Sequence, residues 1–358
     1  MKIAYYIHWD ISVESGILKK INAQIRAWMG YGHTVKLFAL SFGNNVWSGL
    51  DGIPLEWIYC PNIPSRFIKT QRLVGYAINW DPDLIYLRFN FFYPGQEKLH
   101  KNNPVIVEVN TDDISEYRLL SKIHYRYNLL TRDRLFLHID GFTMVSNQFL
   151  ERFSKYPQPK IVIGNGIDLS QFHNLPVPKS DPPHMLFLGY PNQPWNGIKN
   201  ILWLSRHLPD WHFDLVGIEN PKDGTSDQSN ITFHGFLEKE QYQTILETAN
   251  IAIGTLALYR INLNERSTLK LGEYLASGIP TIIAYHDTNF PTPKSFLLQI
   301  PNTPDNVKTH FESIVSFIDE WKHKRVPRDE IADLDIHVKE SQRLDFFSKI
   351  VELHHVDN

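Results

Sequence analysis

Cysteine is nearly missing from this chain: Cys60 is the only one among 358 residues. A single thiol excludes an intrachain disulfide framework, and the expected location is the reducing cytoplasm. Long apolar runs are missing too, since no stretch approaches the roughly 18 residues that a membrane-spanning helix needs. The opening MKIAYYIHWD carries one Lys and a short apolar run. That run is too short for a secretory leader and acids follow it, so it reads as a first β-strand. Neither sign of charge dominates: 36 Lys and Arg against 39 Asp and Glu leave a net charge of −3. This argues against a nucleic acid held by bulk attraction. The 16 His show no H-E-x-x-H or clustered ligand spacing, and the D-x-D pairs Asp81/Asp83 and Asp333/Asp335 read as a turn and a tail. Metal readings from spacing are therefore weak. Internal repeats and low-complexity segments are absent.

What is present is ordinary for a globular protein, with 42% hydrophobic and 21% charged residues. The length exceeds one usual core and predicts roughly two domains. Lys2–His8, Ile17–Met29 and Thr34–Leu40 read as a strand, an amphipathic helix and a second strand, the opening of a parallel sheet. Gly16 is expected to let the backbone turn into that helix. Strands at Leu84–Arg88, Val105–Val109, Gly141–Ser146 and Lys160–Ile163, with a helical segment over Ser115–His138, extend the series. The Pro-rich stretch His173–His184 blocks helix and central strand alike and marks a boundary. Beyond it a second α/β series runs through Met185–Leu188, Ile198–His207, His212–Val216, Ile231–Phe233, Lys239–Thr248 and Ile251–Thr255. Helical spacing returns at Val307–Trp321 and Leu344–His354.

The most informative stretch is ERSTLKLGE, bracketed by Glu265 and Glu273 and continuing into YLASGIPTII. Ser267 or Thr268 can cap a short helix Leu269–Ala276, Gly278 stops it, and the strand Pro280–Ala284 follows. Its N-terminus stands at the carboxyl end of a preceding apolar strand, where open α/β sheets bind anions. Lys270, in the first turn, opposes the helix dipole but suits an anion, phosphate above all. Glu273, one turn on, is within reach of a ribose on that phosphate. As a bland alternative, both Glu are solvated charges on a surface helix.

This stretch resembles the E-x7-E signature of the retaining family 4 glycosyltransferases of the GT-B fold, in the form E-x-S-x-L-K-x-x-E-Y-x-A-x-G-x-P. MVSNQFLERF and KIVIGNGIDLSQF, upstream, are similar to that family's end of the N-terminal domain; Asn165, Gly166 and Asp168 carry the likeness. The resemblance implies two Rossmann-like domains facing across a cleft: residues 1–172 for the acceptor, a linker over 173–184, and 185–339 for the nucleotide sugar. A last helix at about 340–358 would pack back on the first domain. Glu265 would hold the hydroxyls of the donor sugar and Glu273 the ribose, with Ser267, Thr268, Leu269 and Lys270 at the diphosphate. Phe236 and Leu237 would line the nucleobase, and backbone near Gly16 would approach the phosphates.

Two departures from the family pattern stand out. LFLGYPNQPWNGIK has Tyr190 where the family has Arg, and Trp195-Asn196-Gly197 where it has Lys-Gly. Gly189 and Gly197 still flank a turn suited to phosphate, but charge compensation must come from Lys270, Lys199 or Arg260. In VIVEVNTD, Asn110 takes the place of an acceptor-side His, which removes proton transfer through an imidazole there.

The resemblance implies a cytoplasmic, metal-independent enzyme that moves a hexose from a GDP- or UDP-linked donor to a saccharide or lipid-linked acceptor with retention, in surface-polysaccharide synthesis. No cofactor beyond the donor is expected. Arg118–Arg134 mixes basic and apolar residues and reads either as a core helix with a basic outer face or as peripheral contact with an anionic membrane. Two rivals remain: a degenerate protein that binds nucleotide sugar without turnover, and a GT-B epimerase using Asp112, Asp113 and Glu116.

Overall fold

The computed structural model describes residues 1–220 and 228–357. The chain divides into two compact units, Met1–Gly166 with Ile336–Asn358, and Ile167–Asp335. It passes between them at Gly166–Ile167 and Asp335–Ile336, so the Pro-rich stretch lies inside the second unit.

The first unit is built on a seven-stranded parallel sheet ordered β3-β2-β1-β4-β5-β6-β7. Its strands are β1 Lys2–His8, β2 Thr34–Ser41, β3 Leu55–Tyr59, β4 Leu84–Arg88, β5 Val105–Val109, β6 Gly141–Met144 and β7 Lys160–Val162. β1, β4 and β5 are buried almost throughout. That is why they read as continuous apolar runs and not as alternating ones. The helices are α1 Gly16–Gly30, α2 Ile63–Asn79, α3 Asp113–Leu120, α4 Lys122–Thr131, α5 Asp133–Phe136 and α6 Gln148–Arg152. The segment expected to be helical over Ser115–His138 is thus interrupted. Ser121 adopts an extended backbone (φ −162°, ψ 119°), and its hydroxyl accepts the His124 N–H that opens α4. A serine satisfies backbone donors locally in this way and stops one helix as it starts the next.

The second unit repeats the plan with a six-stranded parallel sheet ordered β10-β9-β8-β11-β13-β15. Its strands are β8 His184–Leu188, β9 His212–Val216, β10 Ile231–Gly235, β11 Ala249–Ile253, β13 Thr281–Ile283 and β15 Leu297–Gln299. Two short strands, β12 Glu265–Arg266 and β14 His286–Asp287, pair separately. The helices are α7 Ile198–His207, α8 Lys239–Thr248, α9 Leu269–Ala276, α10 Asn306–Thr309 and α11 Phe311–Trp321. The last helix, α12 Ile336–Asp357, belongs to the first unit. There Phe347 and Ile350 join Ile3, Tyr5, Trp28 and Tyr86 in the core.

Both sheets reverse winding direction at one point, between β1 and β4 in the first and between β8 and β11 in the second. Each unit is therefore a doubly wound Rossmann-like fold, and ligands of such folds bind at the carboxyl ends of the strands beside that reversal.

Candidate active site

In the second unit the reversal point is held by Tyr274 of α9. Its buried hydroxyl accepts the Leu188 N–H at 2.6 Å and donates to the Ile253 carbonyl at 3.4 Å, joining the ends of β8 and β11. α9 begins at Leu269, five residues before Tyr274. Thr268 is its N-cap: the hydroxyl accepts the Leu271 N–H at 3.4 Å and bonds the Tyr285 hydroxyl at 2.9 Å. This leaves the Leu269 and Lys270 N–H groups outside the helix's own ladder, at the positive end of the dipole. Ser267 is buried and accepts a hydrogen bond from Asn289 Nδ2 at 3.1 Å, so it braces the approach and does not cap.

Lys270 is half-buried along its stem, yet its ammonium is fully buried and has no hydrogen-bond partner. The nitrogen stands 4.3 Å from the centre of the Phe187 ring. Burial, with Arg266 nearby, pulls its pKa down to about 7. An ammonium held over a ring gains some cation–π attraction, far less than the desolvation it has suffered. An anion delivered to the α9 N-terminus would supply the missing partner.

The same Phe187 ring lies against Gly189, where an added Cβ would come within 2.6 Å of it. Lys270 and the loop after β8 are thereby brought to one place. Gly217 (φ +78°) supports this loop, and a Cβ there would fall 2.1 Å from the Gly189 carbonyl oxygen. The loop closes at Gly197 (φ +79°), which opens α7 and packs within 2.8 Å of Leu256 when given a Cβ. Asn196 is buried; its amide donates to the Tyr190 carbonyl at 3.0 Å, while its Oδ1 has no partner. Lys199 and Arg260 are exposed, and Arg260 bonds its neighbour Tyr259 at 3.4 Å. Of the three candidate cations, Lys270 alone is buried at the strand ends.

Glu273 is half-buried and accepts a hydrogen bond from the Tyr242 hydroxyl at 2.8 Å. Glu265, on β12, accepts from the Thr288 hydroxyl at 3.0 Å. Both carboxylates are half-buried, and each accepts a hydrogen bond from a hydroxyl. Tyr242, Thr288, Asn289 and Phe187 carried no signal in the sequence, because they reach the site from α8, the segment after β14 and β8, all distant in sequence from α9 or outside its motif. Beyond Gly235, Phe236 is exposed and Leu237 packs on the cluster containing Leu186 and Tyr274. A cavity of about 430 Å³ shares Tyr285 with the α9 cap and is further lined by Asn264, His286, Gln299 and Asn302.

In the first unit, Gly16 is not where the backbone turns. Ser15 is the N-cap of α1, its hydroxyl accepting the Leu18 N–H at 3.2 Å, and Gly16 is the first helical residue. Asn110 follows β5 and accepts a hydrogen bond from Lys20 at 2.7 Å, while its own Nδ2 is buried without a partner. Lys20 also pairs with buried Glu108 at 2.8 Å. Asp112 and Asp113 form ion pairs with Arg152 and Arg132. Those two carboxylates are tied into the unit's structure.

No family model matches the sequence. No curated protein matches it either. Solved structures do resemble it along almost the whole chain. A glycosyltransferase from Rickettsia africae aligns with a TM-score of 0.67 at 14% identity, covering 98% of both chains. Anabaena HepE in complex with UDP and glucose aligns at 0.62 and 14%, covering 97% of this chain and 99% of that one. A UDP-GlcNAc 2-epimerase from Neisseria meningitidis bound to UDP-GlcNAc aligns at 0.55 and 12%, covering 98% and 100%. The chain thus has the GT-B fold, with two Rossmann-like units, and at these identities the likeness speaks of fold alone.

Proposed function

We propose that the protein is a glycosyltransferase that takes a hexose from a nucleotide diphosphate sugar, with the diphosphate bound at the N-terminus of α9. The observation that carries this reading is the buried, unpartnered ammonium of Lys270, a residue in the first turn of α9. As the anomeric bond breaks, charge accumulates on the departing diphosphate. A cation and a helix end fixed there in a site of low dielectric stabilise that charge more than they stabilise the ground state. Glu273, held by Tyr242, would bind the ribose. Glu265, held by Thr288, would bind the hydroxyls of the transferred sugar and present its reacting face. Backbone and apolar surface at Phe236 and Leu237 suit a nucleobase. The GDP or UDP donor, transfer with retention, independence from metal and a role in surface-polysaccharide synthesis follow the resemblance of the ERSTLKLGE segment.

The acceptor would lie on the first unit near Asn110, whose free Nδ2 can hydrogen-bond a sugar hydroxyl. A lipid-linked acceptor finds support in the exposed apolar Ile123 and Leu130, set among exposed Lys122, Arg126 and Arg134. An apolar and basic face of this kind suits an anionic leaflet. Among the described residues no helix is long and apolar enough to cross a membrane.

The experiment is calorimetric titration of the protein with GDP, UDP and ADP, without metal and then with magnesium, followed by turnover of the matching sugar nucleotide with oligosaccharide acceptors. Micromolar binding of one diphosphate and turnover support the transferase. Tight binding without turnover would favour a degenerate binding protein, and interconversion of the free donor an epimerase.

A further inference from the structure

Three imidazoles surround one carboxylate on a face of the second sheet, two of them at the amino ends of their strands, away from the carboxyl ends that precede α9. His184 opens β8 and His212 opens β9, directly opposite each other in register. Asp214 follows His212 by two residues and so shares its face of the sheet. His234 stands on β10 where the register shifts between Phe233 and Gly235. His184 Nδ1 lies 2.6 Å from Asp214 Oδ2, and His234 Nε2 lies 2.8 Å from Oδ1. His212 Nε2 is 3.8 Å from Oδ1 and bonds the Thr232 hydroxyl at 2.9 Å. Ligand atoms of His184, His212 and Asp214 all lie within 4.8 Å of one another.

Side-chain exposures of 23%, 22% and 8% for His184, His212 and Asp214 hold these groups in place yet leave them open to a small solute. Neither the proposed reaction nor the core uses them. Two imidazole nitrogens and a carboxylate oxygen form a donor set that suits zinc-class ions and is poorly matched to magnesium or calcium. Tetrahedral bonds of about 2.0–2.1 Å place neighbouring ligand atoms about 3.3 Å apart. Side-chain shifts of less than about 1 Å take the observed distances to that value, with Thr232 giving up His212.

We propose that His184, His212 and Asp214 bind one divalent transition-metal ion of the zinc class, with His234 orienting the carboxylate. The ion would tie the starts of β8 and β9 together and leave one position to water. Its place at the amino ends of the strands makes the role structural, independent of chemistry at α9.

The test uses tag-free protein stripped with chelator, titrated with zinc alone by calorimetry and with cobalt alone by visible absorption. The expected result is one ion per chain, intense tetrahedral cobalt bands, and a thermal midpoint that rises with zinc. His234→Gln should weaken binding about 10- to 100-fold, as loss of an orienting partner does. The double variant His184→Gln/His212→Gln should lose binding altogether, whereas His354→Gln/His355→Gln should leave it unchanged. Circular dichroism checks that each variant is folded. Absence of one-to-one binding in the unmodified protein, a weak octahedral cobalt spectrum, or undiminished affinity in the folded His184/His212 variant would each overturn the proposal.

Discussion

Lys270 is the residue on which the proposed phosphate site rests. Its ammonium is buried, unpartnered and held near a pKa of about 7. An anion raises that pKa, so binding is favoured while the amine is charged and must recruit a proton above pH 7. Affinity for the nucleoside diphosphate should therefore weaken progressively from pH 7 to 9. Lys270→Met should bind more weakly and lose this pH dependence, which calorimetry at several pH values checks. Its kcat/KM should fall by about 10²–10³, the usual effect of removing one transition-state donor. The two Glu differ in what they would hold. Glu273→Ala should raise the nucleotide Kd by about tenfold, in keeping with a hydrogen bond to a charged group. Glu265→Ala should lower kcat with little change in that Kd. Equal and small effects of both would sink the assignment of the pair.

Among the elements, α9 was the most legible. A Thr cap, eight helical residues and a left-handed Gly278 mark Leu269–Ala276 as a helix in sequence and in structure alike. Less legible were β3 and α2. The strand LEWIY is half-exposed at the edge of its sheet and lacks an unbroken apolar run, while α2 starts at Ile63-Pro64 amid polar residues. The glycine loops depend on contacts between strands. Gly217 reads as an ordinary residue after an apolar strand, yet its left-handed backbone lies against the Gly189 carbonyl. Gly217→Ala should destabilise the second unit by about 2–4 kcal/mol, combining a left-handed penalty with overpacking. Chemical denaturation would read this, and a loss below about 1 kcal/mol would contradict the geometry.

In the molecule as a whole, α12 completes the first unit through a buried ionic network. Glu340 accepts hydrogen bonds from Trp28 Nε1 and Arg343 Nε, both at 2.8 Å, and Arg343 also donates to the Tyr86 hydroxyl at 2.9 Å. Removing one partner leaves the other charge buried and unpaired. Glu340→Ala should therefore cost about 3–5 kcal/mol in denaturant unfolding of the first unit. No periodicity announces this, since Trp28 and Glu340 are 312 positions apart.

Local spacing was enough to place most strands and helices, because caps, helix stops and buried parallel strands depend on neighbouring residues, while Glu265, Lys270 and Glu273 were singled out by the resemblance of their segment to a family signature. Sheet order and side-chain burial belong to long-range packing. Parallel pairing brings His184, His212, Asp214 and His234 together from three strands, and the fold sets Lys270 against Phe187 and Glu273 against Tyr242. Those contacts fix where each group points and bury the Lys270 ammonium, and no stretch of sequence contains them.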